Sequence, residues 1–131
     1  MHWLLIGASV FVLASLSLAW LSTAVRILRV KSLRARFPAH DNLVKAHIDY
    51  LLMALLLIAY YLLGDTLEIE FPGWVILMML FGGTVNPLTF IIVAMSKPED
   101  FKPGSSFMAL TMLSFTATTL GFAAAAVLVL L

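Results

Sequence analysis

The fold is decided by residues 42–64, NLVKAHIDYLLMALLLIAYYLLG, where a polar start gives way to a long apolar run. A helix rises 1.5 Å per residue, so about 20 apolar residues cross a hydrocarbon core of roughly 30 Å. Lipid offers no partners to backbone polar groups, and a helix satisfies its own. The stretch therefore predicts a transmembrane helix that carries an imidazole, His47, and a carboxylate, Asp49, close to its polar end.

The rest of the chain repeats this pattern. The protein has 131 residues, of which 63% are hydrophobic and 11% charged, whereas soluble domains are nearer half apolar and a quarter charged. Segments of similar length and polarity recur, which predicts an all-α integral membrane four-helix bundle in a single transmembrane domain, residues 1–131. Its helices are expected at about 3–25, 43–63, 72–96 and 105–131.

Net charge and cysteine content exclude several classes of function. The formal net charge is only +1, and a charge this small does not indicate a nucleic-acid partner. The chain contains no cysteine. This excludes disulfides, iron–sulfur clusters, thiolate ligation of haem and cysteine nucleophiles.

The distribution of charge predicts an orientation in the membrane. Six of the eight cations lie between the end of the first helix and the first turn of the second: Arg26, Arg29, Lys31, Arg34, Arg36 and Lys45. Cytoplasmic loops carry such an excess, so loops 26–42 and 97–104 are expected in the cytoplasm and both termini on the outer side, most simply in a bacterial inner membrane. Residues 27–37 alternate apolar and basic side chains, which fits an amphipathic stretch at the headgroups. The preferred interpretation is a topology anchor for anionic lipid.

Small and hydroxyl side chains mark possible helix contacts. Ser15, Ala19 and Thr23 recur at every fourth position, and such a stripe lets another helix approach closely. The alternative is a weak helix face with no partner. The hydroxyl residues of the last helix are interpreted as packing residues, since hydroxyls in membrane helices often bond to backbone carbonyls.

The third helix contains an amide beside a proline, Asn86-Pro87, within FGGTVNPLTF. Pro87 removes a backbone donor, so a kink is expected there. A buried amide in lipid needs a partner or a ligand. The favoured interpretation is that Asn86 bonds to a neighbouring helix or to carbonyls freed by the proline.

Ionisable residues inside membrane helices are candidates for function. His47 and Asp49 are about 200° apart on a helix, so they point to nearly opposite faces. His47 is either a metal or cofactor ligand facing the bundle, with its other ring nitrogen held by an orienting partner, or an interfacial residue that is hydrated or bonded to a carbonyl. Asp49 is interpreted as a carboxylate favoured by the helix macrodipole, with pairing to an arginine of the preceding loop as the alternative.

Three features together resemble the styrene oxide isomerases, which are small four-helix membrane enzymes related to the hydroxylaminobenzene mutases. An Ala-His pair opens helix 2 after a basic loop, here Ala46-His47 in VKAHIDYLLM. In helix 3 an asparagine is followed four residues later by an aromatic residue, here Asn86 and Phe90 in VNPLTF. A Phe-x-Pro-Gly turn precedes helix 4, here residues 101–104, FKPG. The resemblance covers about residues 42–131.

The resemblance implies a cofactor and a reaction. Members of the family bind haem b through the helix 2 histidine and assemble as trimers with haem near the subunit contacts. His47 would then be the axial iron ligand, with Asn86, Phe90 and Met53 beside the cofactor. Haem iron would act as a Lewis acid on the oxygen of an aryl epoxide. The ring opens, a hydride migrates and an aldehyde leaves, without redox turnover, so the partner would be a small apolar substrate.

Two positions depart from the family pattern. An asparagine that helps to place the substrate is replaced here by Met53, and a tyrosine of helix 3 by Phe90. Methionine is also a known haem ligand. A non-catalytic haem protein that acts as a carrier, sensor or electron-transfer element therefore remains an alternative, as does a structural bundle without haem.

Overall fold

The computed structural model describes residues 1–97 and 102–131, and within them the chain is helical with no strand. The helices are α1 (His2–Arg26), α2 (Lys31–Arg36), α3 (Asp41–Leu67), α4 (Gly73–Ala94) and α5 (Ser105–Leu130). α1, α3, α4 and α5 are each long and apolar enough to cross a membrane. The predicted all-α class and the four apolar helices are thus confirmed. Phe101, the first residue of the FKPG turn, lies outside the described residues.

The helices depart from the sequence prediction mainly in two ways, while the ends of α1, α4 and α5 lie within two residues of the predicted ones. The short helix α2 was not expected, and α3 extends past both ends of the predicted segment 43–63. α3 ends where Glu68 takes a left-handed conformation at φ 55°. The N–H of Ile69 then bonds to the carbonyl of Gly64 at 2.8 Å, which closes a Schellman cap. Helical hydrogen bonding thus continues beyond the apolar residues until this cap stops it.

The early start of α3 corrects the interpretation of Asp49. The acidic residue in the first turn is Asp41, and Asp49 lies two turns further along. The macrodipole acts only within about the first turn, so it explains Asp41 and not Asp49. Asp49 is half-buried and makes no ion pair or hydrogen bond within the described part of the chain.

α1 packs along α3 through one regular seam. Its buried residues recur at intervals of four and three: Leu4, Ala8, Phe11, Ser15, Leu18, Ser22 and Val25. This is the spacing of a left-handed helix pair. Large side chains alternate with Ala or Ser, and the small residues allow close approach of α3. The predicted stripe is therefore partly right: Ser15 belongs to the seam, while Ala19 and Thr23 are only half-buried beside it.

The long helices are neighbours in the order α1, α3, α4, α5. α4 and α5 approach closely at two glycines. A Cβ on Gly82 would lie 3.0 Å from the Thr118 Cα, and one on Gly121 would lie 2.9 Å from the backbone nitrogen of Met79. In the described ranges no Cα of α1 comes within 8 Å of one of α5. The bundle is therefore open between its first and last helices.

Both chain termini lie at the same end of the bundle. Met1 lines a cavity with Gly64 at the end of α3, and Trp74 at the start of α4 lines another with Val127 near the end of α5. At the opposite end, the N–H of Ala39 bonds to the carbonyl at the end of α4 at 3.1 Å. The connections therefore alternate between the two ends, as an antiparallel arrangement of four long helices requires.

Candidate functional site

His47 is held by a single residue of the neighbouring helix, Ser15. The Nδ1 atom of His47 lies 2.7 Å from the carbonyl oxygen of Ser15 and 2.7 Å from its hydroxyl oxygen. The same hydroxyl donates to the carbonyl of His47 at 3.0 Å. Because Ser15 is fully buried in the seam of α1, this one residue holds both the Nδ1 atom and the backbone carbonyl of His47 against α1.

These contacts assign the tautomer of the imidazole. With the Ser15 hydroxyl donating to the carbonyl of His47, a proton on Nδ1 of His47 satisfies both contacts of that nitrogen, because a carbonyl oxygen can only accept a hydrogen bond. In the neutral ring the lone pair is then on Nε2. This is the arrangement of metal-ligating histidines, in which one nitrogen is oriented by a carbonyl and the other binds the metal.

The second ring nitrogen is free to bind a ligand. Nε2 of His47 makes no hydrogen bond within the described part of the chain, and it is not among the fully buried atoms that lack a partner. The side chain as a whole is half-buried. His47 therefore has one ring nitrogen without a hydrogen-bond partner in the described residues, on a side chain that is half-buried.

His47 lies in the second turn of α3, near one end of the bundle. It lies six residues after Asp41, or about 9 Å along the axis at helical rise. Ala46, the preceding residue, is fully buried, so the backbone here lies close to α1. A close helix contact lets the short serine reach an imidazole on the next helix.

Asn86 is engaged by α5 instead. The hydroxyl of Ser114 donates to its Oδ1, and its Nδ2 donates to the hydroxyl of Thr118 at 3.1 Å. Thr118 in turn donates to the carbonyl of Ser114 at 2.8 Å. Asn86 is 8% exposed and Ser114 is fully buried. The interpretation of Asn86 as a partner of a neighbouring helix matches these bonds. Ser114 and Thr118 join α5 to α4, whereas the hydroxyls of Thr111 and Thr116 bond to carbonyls of their own helix.

The four residues predicted at the cofactor, His47, Met53, Asn86 and Phe90, pack against different parts of the bundle. Met53 is half-buried and faces α4, with its Cβ 3.6 Å from the place a Cβ on Gly83 would take. Phe90 is half-buried and packs against the hydrophobic core. His47 contacts α1 and Asn86 contacts α5, and no hydrogen bond in the described ranges joins any two of the four.

Tyr50 is a polar residue of the bundle interior that the sequence analysis did not assign to the site. Its hydroxyl donates to the carbonyl of Thr84 at 3.0 Å, and its ring lies 5.6 Å from that of Phe11. Pro87 has no N–H to bond to the carbonyl of Gly83, four residues before it. Thr84 follows Gly83, so the bond from Tyr50 reaches the helical turn that lacks this backbone hydrogen bond. The available signal was the spacing of Tyr50 from His47, three residues along one helix face.

His40 offers a contrast at the same end of the bundle. It is half-buried, its Nδ1 makes no hydrogen bond, and that atom lies 3.5 Å from the carboxylate of Asp41. Nothing assigns its tautomer. Of the histidines in α3 and the turn before it, only His47 has a ring oriented by a neighbouring helix.

Residues 1–97 and 102–131 contain no group of three or more His, Cys, Asp or Glu side chains placed to hold a metal ion. Comparison of the chain with protein-family models, with curated proteins and with solved structures finds no match.

Proposed function

We propose that this chain is an integral membrane haem protein in which Nε2 of His47 is an axial ligand of haem b. The observation that carries the proposal is the bond from Nδ1 of His47 to the carbonyl of Ser15 at 2.7 Å. It orients the ring and leaves the lone pair on Nε2, which makes no hydrogen bond within the described residues. An interfacial histidine bonded to a carbonyl would make the same contact, and the haem spectrum of the purified protein separates the two.

A single oriented histidine suits haem better than a bare metal ion. Structural and catalytic zinc sites use three or four protein ligands, whereas a haem iron needs one or two and is otherwise held by its macrocycle. Haem also binds through apolar contact, which the bundle offers in quantity. Met53 is another side chain of α3 with a donor atom for iron, but it faces α4.

The proposed reaction is isomerisation of an aryl epoxide to an aldehyde, on the strength of the family resemblance. The haem iron would supply a Lewis acid for the epoxide oxygen. The residues of the chain would then have three tasks. Ser15 holds the imidazole in one orientation, the apolar faces of α3 and α4 exclude water, and the lipid-facing surface admits an apolar substrate from the bilayer.

The exposure of His47 points to more than one copy of the chain around the cofactor. The imidazole is half-buried in a single protomer, so a haem on Nε2 would extend beyond that protomer. A homo-oligomer, a trimer by resemblance, would let a neighbouring copy cover the rest of the macrocycle. The proposed location is the bacterial inner membrane, with the basic connection between α1 and α3 in the cytoplasm.

A second candidate is a haem protein without catalysis, such as a carrier, sensor or electron-transfer element. It is favoured by Asn86, whose amide oxygen and nitrogen are both bonded to α5. Phe90 carries no hydrogen-bonding group that could replace the amide beside a substrate. The same scaffold could hold haem and yet lack the polar contacts that position an epoxide.

Turnover of a labelled epoxide separates these functions. Haem-loaded protein in detergent, without reductant, is given an aryl epoxide with two deuterium atoms on its terminal carbon, and the aldehyde is analysed by mass spectrometry. An intramolecular hydride shift keeps both deuterium atoms in the product. The matched variants are His47→Ala, which should be inactive, and His40→Ala, which should match the parent. Haem-loaded protein that converts none of a broad panel of aryl epoxides would contradict isomerisation and leave the non-catalytic candidate.

A further inference from the structure

The connection between α1 and α3 is a basic surface fixed to the end of the bundle. Residues 26–40 contain five cations and no acidic residue, and all five are exposed: Arg26, Arg29, Lys31, Arg34 and Arg36. No ion pair engages them within the described ranges. Their charge is therefore available to an anionic partner.

This connection is attached to the bundle at three points. The N–H of Val30 bonds to the carbonyl of Ala24 at 3.1 Å, and the N–H of Ala39 bonds to the carbonyl of Ala94 at 3.1 Å. Between them Phe37 is 8% exposed and belongs to the hydrophobic core. The cations accordingly project from a platform with a defined place, which a flexible arm would not provide.

A cavity opens where α1 meets this platform. It has a volume of about 340 Å³ and is lined by Ser22, Thr23, Arg26 and Ile27. The hydroxyl of Ser22 makes no hydrogen bond in the described part of the chain, although the residue is only 8% exposed. Thr23 donates its proton to the carbonyl of Ala19 at 2.9 Å. Free donors in the cavity are thus one hydroxyl and one guanidinium, a pair that suits phosphate oxygens.

Apolar side chains stand exposed beside these donors. Ile27 and Leu28 are 73% and 66% exposed, directly after Arg26 and before Arg29. Cations next to exposed aliphatic residues are typical of segments that lie in the headgroup region with their apolar side chains among the acyl chains. A soluble anion would use the guanidinium and the hydroxyl but would gain nothing from Ile27 and Leu28.

We propose that this cavity binds the phosphate of an anionic phospholipid, with Arg26 and Ser22 as donors and with Ile27 and Leu28 against its acyl chains. The proposal rests on a membrane location and not on haem. The neighbouring cations raise the local concentration of anionic lipid, while the cavity selects one headgroup at a fixed place. Loss of Arg26 should therefore matter more than loss of an equally exposed cation elsewhere on the platform.

Trp20 provides a reporter of this site. It is 74% exposed and shares a helix face with Thr23 and Ile27, three and seven residues later. Replacing Trp3 and Trp74, which lie at the other end of the bundle, by Phe leaves Trp20 as the sole tryptophan. The full-length protein is reconstituted in phosphatidylcholine with increasing phosphatidylglycerol, and either lipid carries brominated acyl chains that quench the fluorescence of Trp20.

The expected result is preferential quenching by brominated phosphatidylglycerol. A cation near the membrane surface contributes about 1 kcal/mol to binding of anionic lipid, or roughly 5-fold. Arg26→Gln loses this general attraction and also a direct bond to the phosphate, so it should lower the relative affinity by more than about 5-fold, and Ser22→Ala should lower it by a smaller factor. Arg34→Gln, which removes the same charge outside the cavity, loses only the general attraction and should lower the affinity by no more than about 5-fold, clearly less than Arg26→Gln.

Three outcomes would overturn the proposal. Equal quenching by both lipids would show that no anionic lipid is selected at this place. Equal losses in Arg26→Gln and Arg34→Gln would show a diffuse field and no built site. Reversal of the preference by millimolar glycerol phosphate at constant ionic strength would assign the cavity to a soluble anion. Circular dichroism of each variant establishes that it is folded, and Ser22→Ala tests the site if Arg26→Gln does not fold.

Discussion

Removing the bond between Asn86 and Ser114 tests whether Asn86 serves helix packing or a ligand. Asn86→Ala deletes both of its bonds to α5, and Ser114→Ala deletes only the one to its amide oxygen. The double variant closes a thermodynamic cycle that isolates this pair. A packing role predicts that the two changes are strongly coupled.

The expected coupling can be derived from the burial of the bond. Hydrogen bonds between membrane helices are worth about 0.6 kcal/mol on average and up to about 1.7 kcal/mol. Ser114 is fully buried and Asn86 nearly so, so the pair belongs in the upper half of this range, at about 1 kcal/mol or more. Asn86→Ala alone, which loses two such bonds, should cost about 1–2 kcal/mol of unfolding free energy.

The measurement is equilibrium unfolding in mixed detergent micelles, followed by circular dichroism, for the parent, both single variants and the double variant. Asn86→Ala combined with Thr116→Ala is the control cycle, because the hydroxyl of Thr116 is exposed and bonds to Met112 within its own helix. The control pair should be additive within about 0.3–0.5 kcal/mol. A coupling between Asn86 and Ser114 no larger than that of the control pair would refute the packing role and leave the amide available to a ligand.

Three further predictions concern the same bundle. Gly82→Ala should lower the unfolding free energy by about 1–3 kcal/mol, because the added methyl meets the backbone of α5. Gly73→Ala is the control and should not lower it, because its methyl meets nothing within 4 Å. Equal effects of the two changes in the same unfolding assay would contradict the close contact at Gly82. Tyr50→Phe should cost about 0.5–1.5 kcal/mol through loss of its bond to a carbonyl of α4 and leave the haem content unchanged, and haem loss in the absorbance spectrum would instead place Tyr50 at the cofactor. Phe90→Tyr with Met53→Asn should raise epoxide turnover if the isomerase scaffold is present, and no gain in a folded, haem-loaded variant would argue against the assumed site.

The sequence predicted the helices well because composition alone decides them. A run of about 20 apolar residues has few alternatives to a transmembrane helix. The boundaries were less accurate, since caps are set by local backbone geometry. The left-handed Glu68 that ends α3 carries no sequence signal, because glycine or asparagine is the residue expected in that conformation.

The partner of His47 could not be predicted for a different reason. Ser15 was identified as a small residue of a helix contact, but the pairing of helices and their rotation are set by the whole packed interface. The heptad spacing of large and small residues in α1 was readable from the sequence, and it would have put Ser15 in the seam. Its register against His47 on α3 depends on the connection between them, which holds the unexpected helix α2.

The behaviour of Asn86 was easier to anticipate. A buried amide must find hydrogen bonds, and the hydroxyl-rich α5 was the obvious source. The sequence did not say which hydroxyls would serve, because several residues of α5 share that chemistry. Ser114 and Thr118 are selected by the close approach of the two helices at Gly82.

The most direct test of the account is the absorbance spectrum of the detergent-purified protein, expressed with a supply of haem, beside His47→Ala and His40→Ala. Ligation by Nε2 of His47 predicts a Soret band in the parent and in His40→Ala, its loss in His47→Ala, and its partial return when imidazole is added to that variant. A Soret band of parental intensity in His47→Ala, or its absence from all three proteins, would contradict the assignment of His47 as the haem ligand.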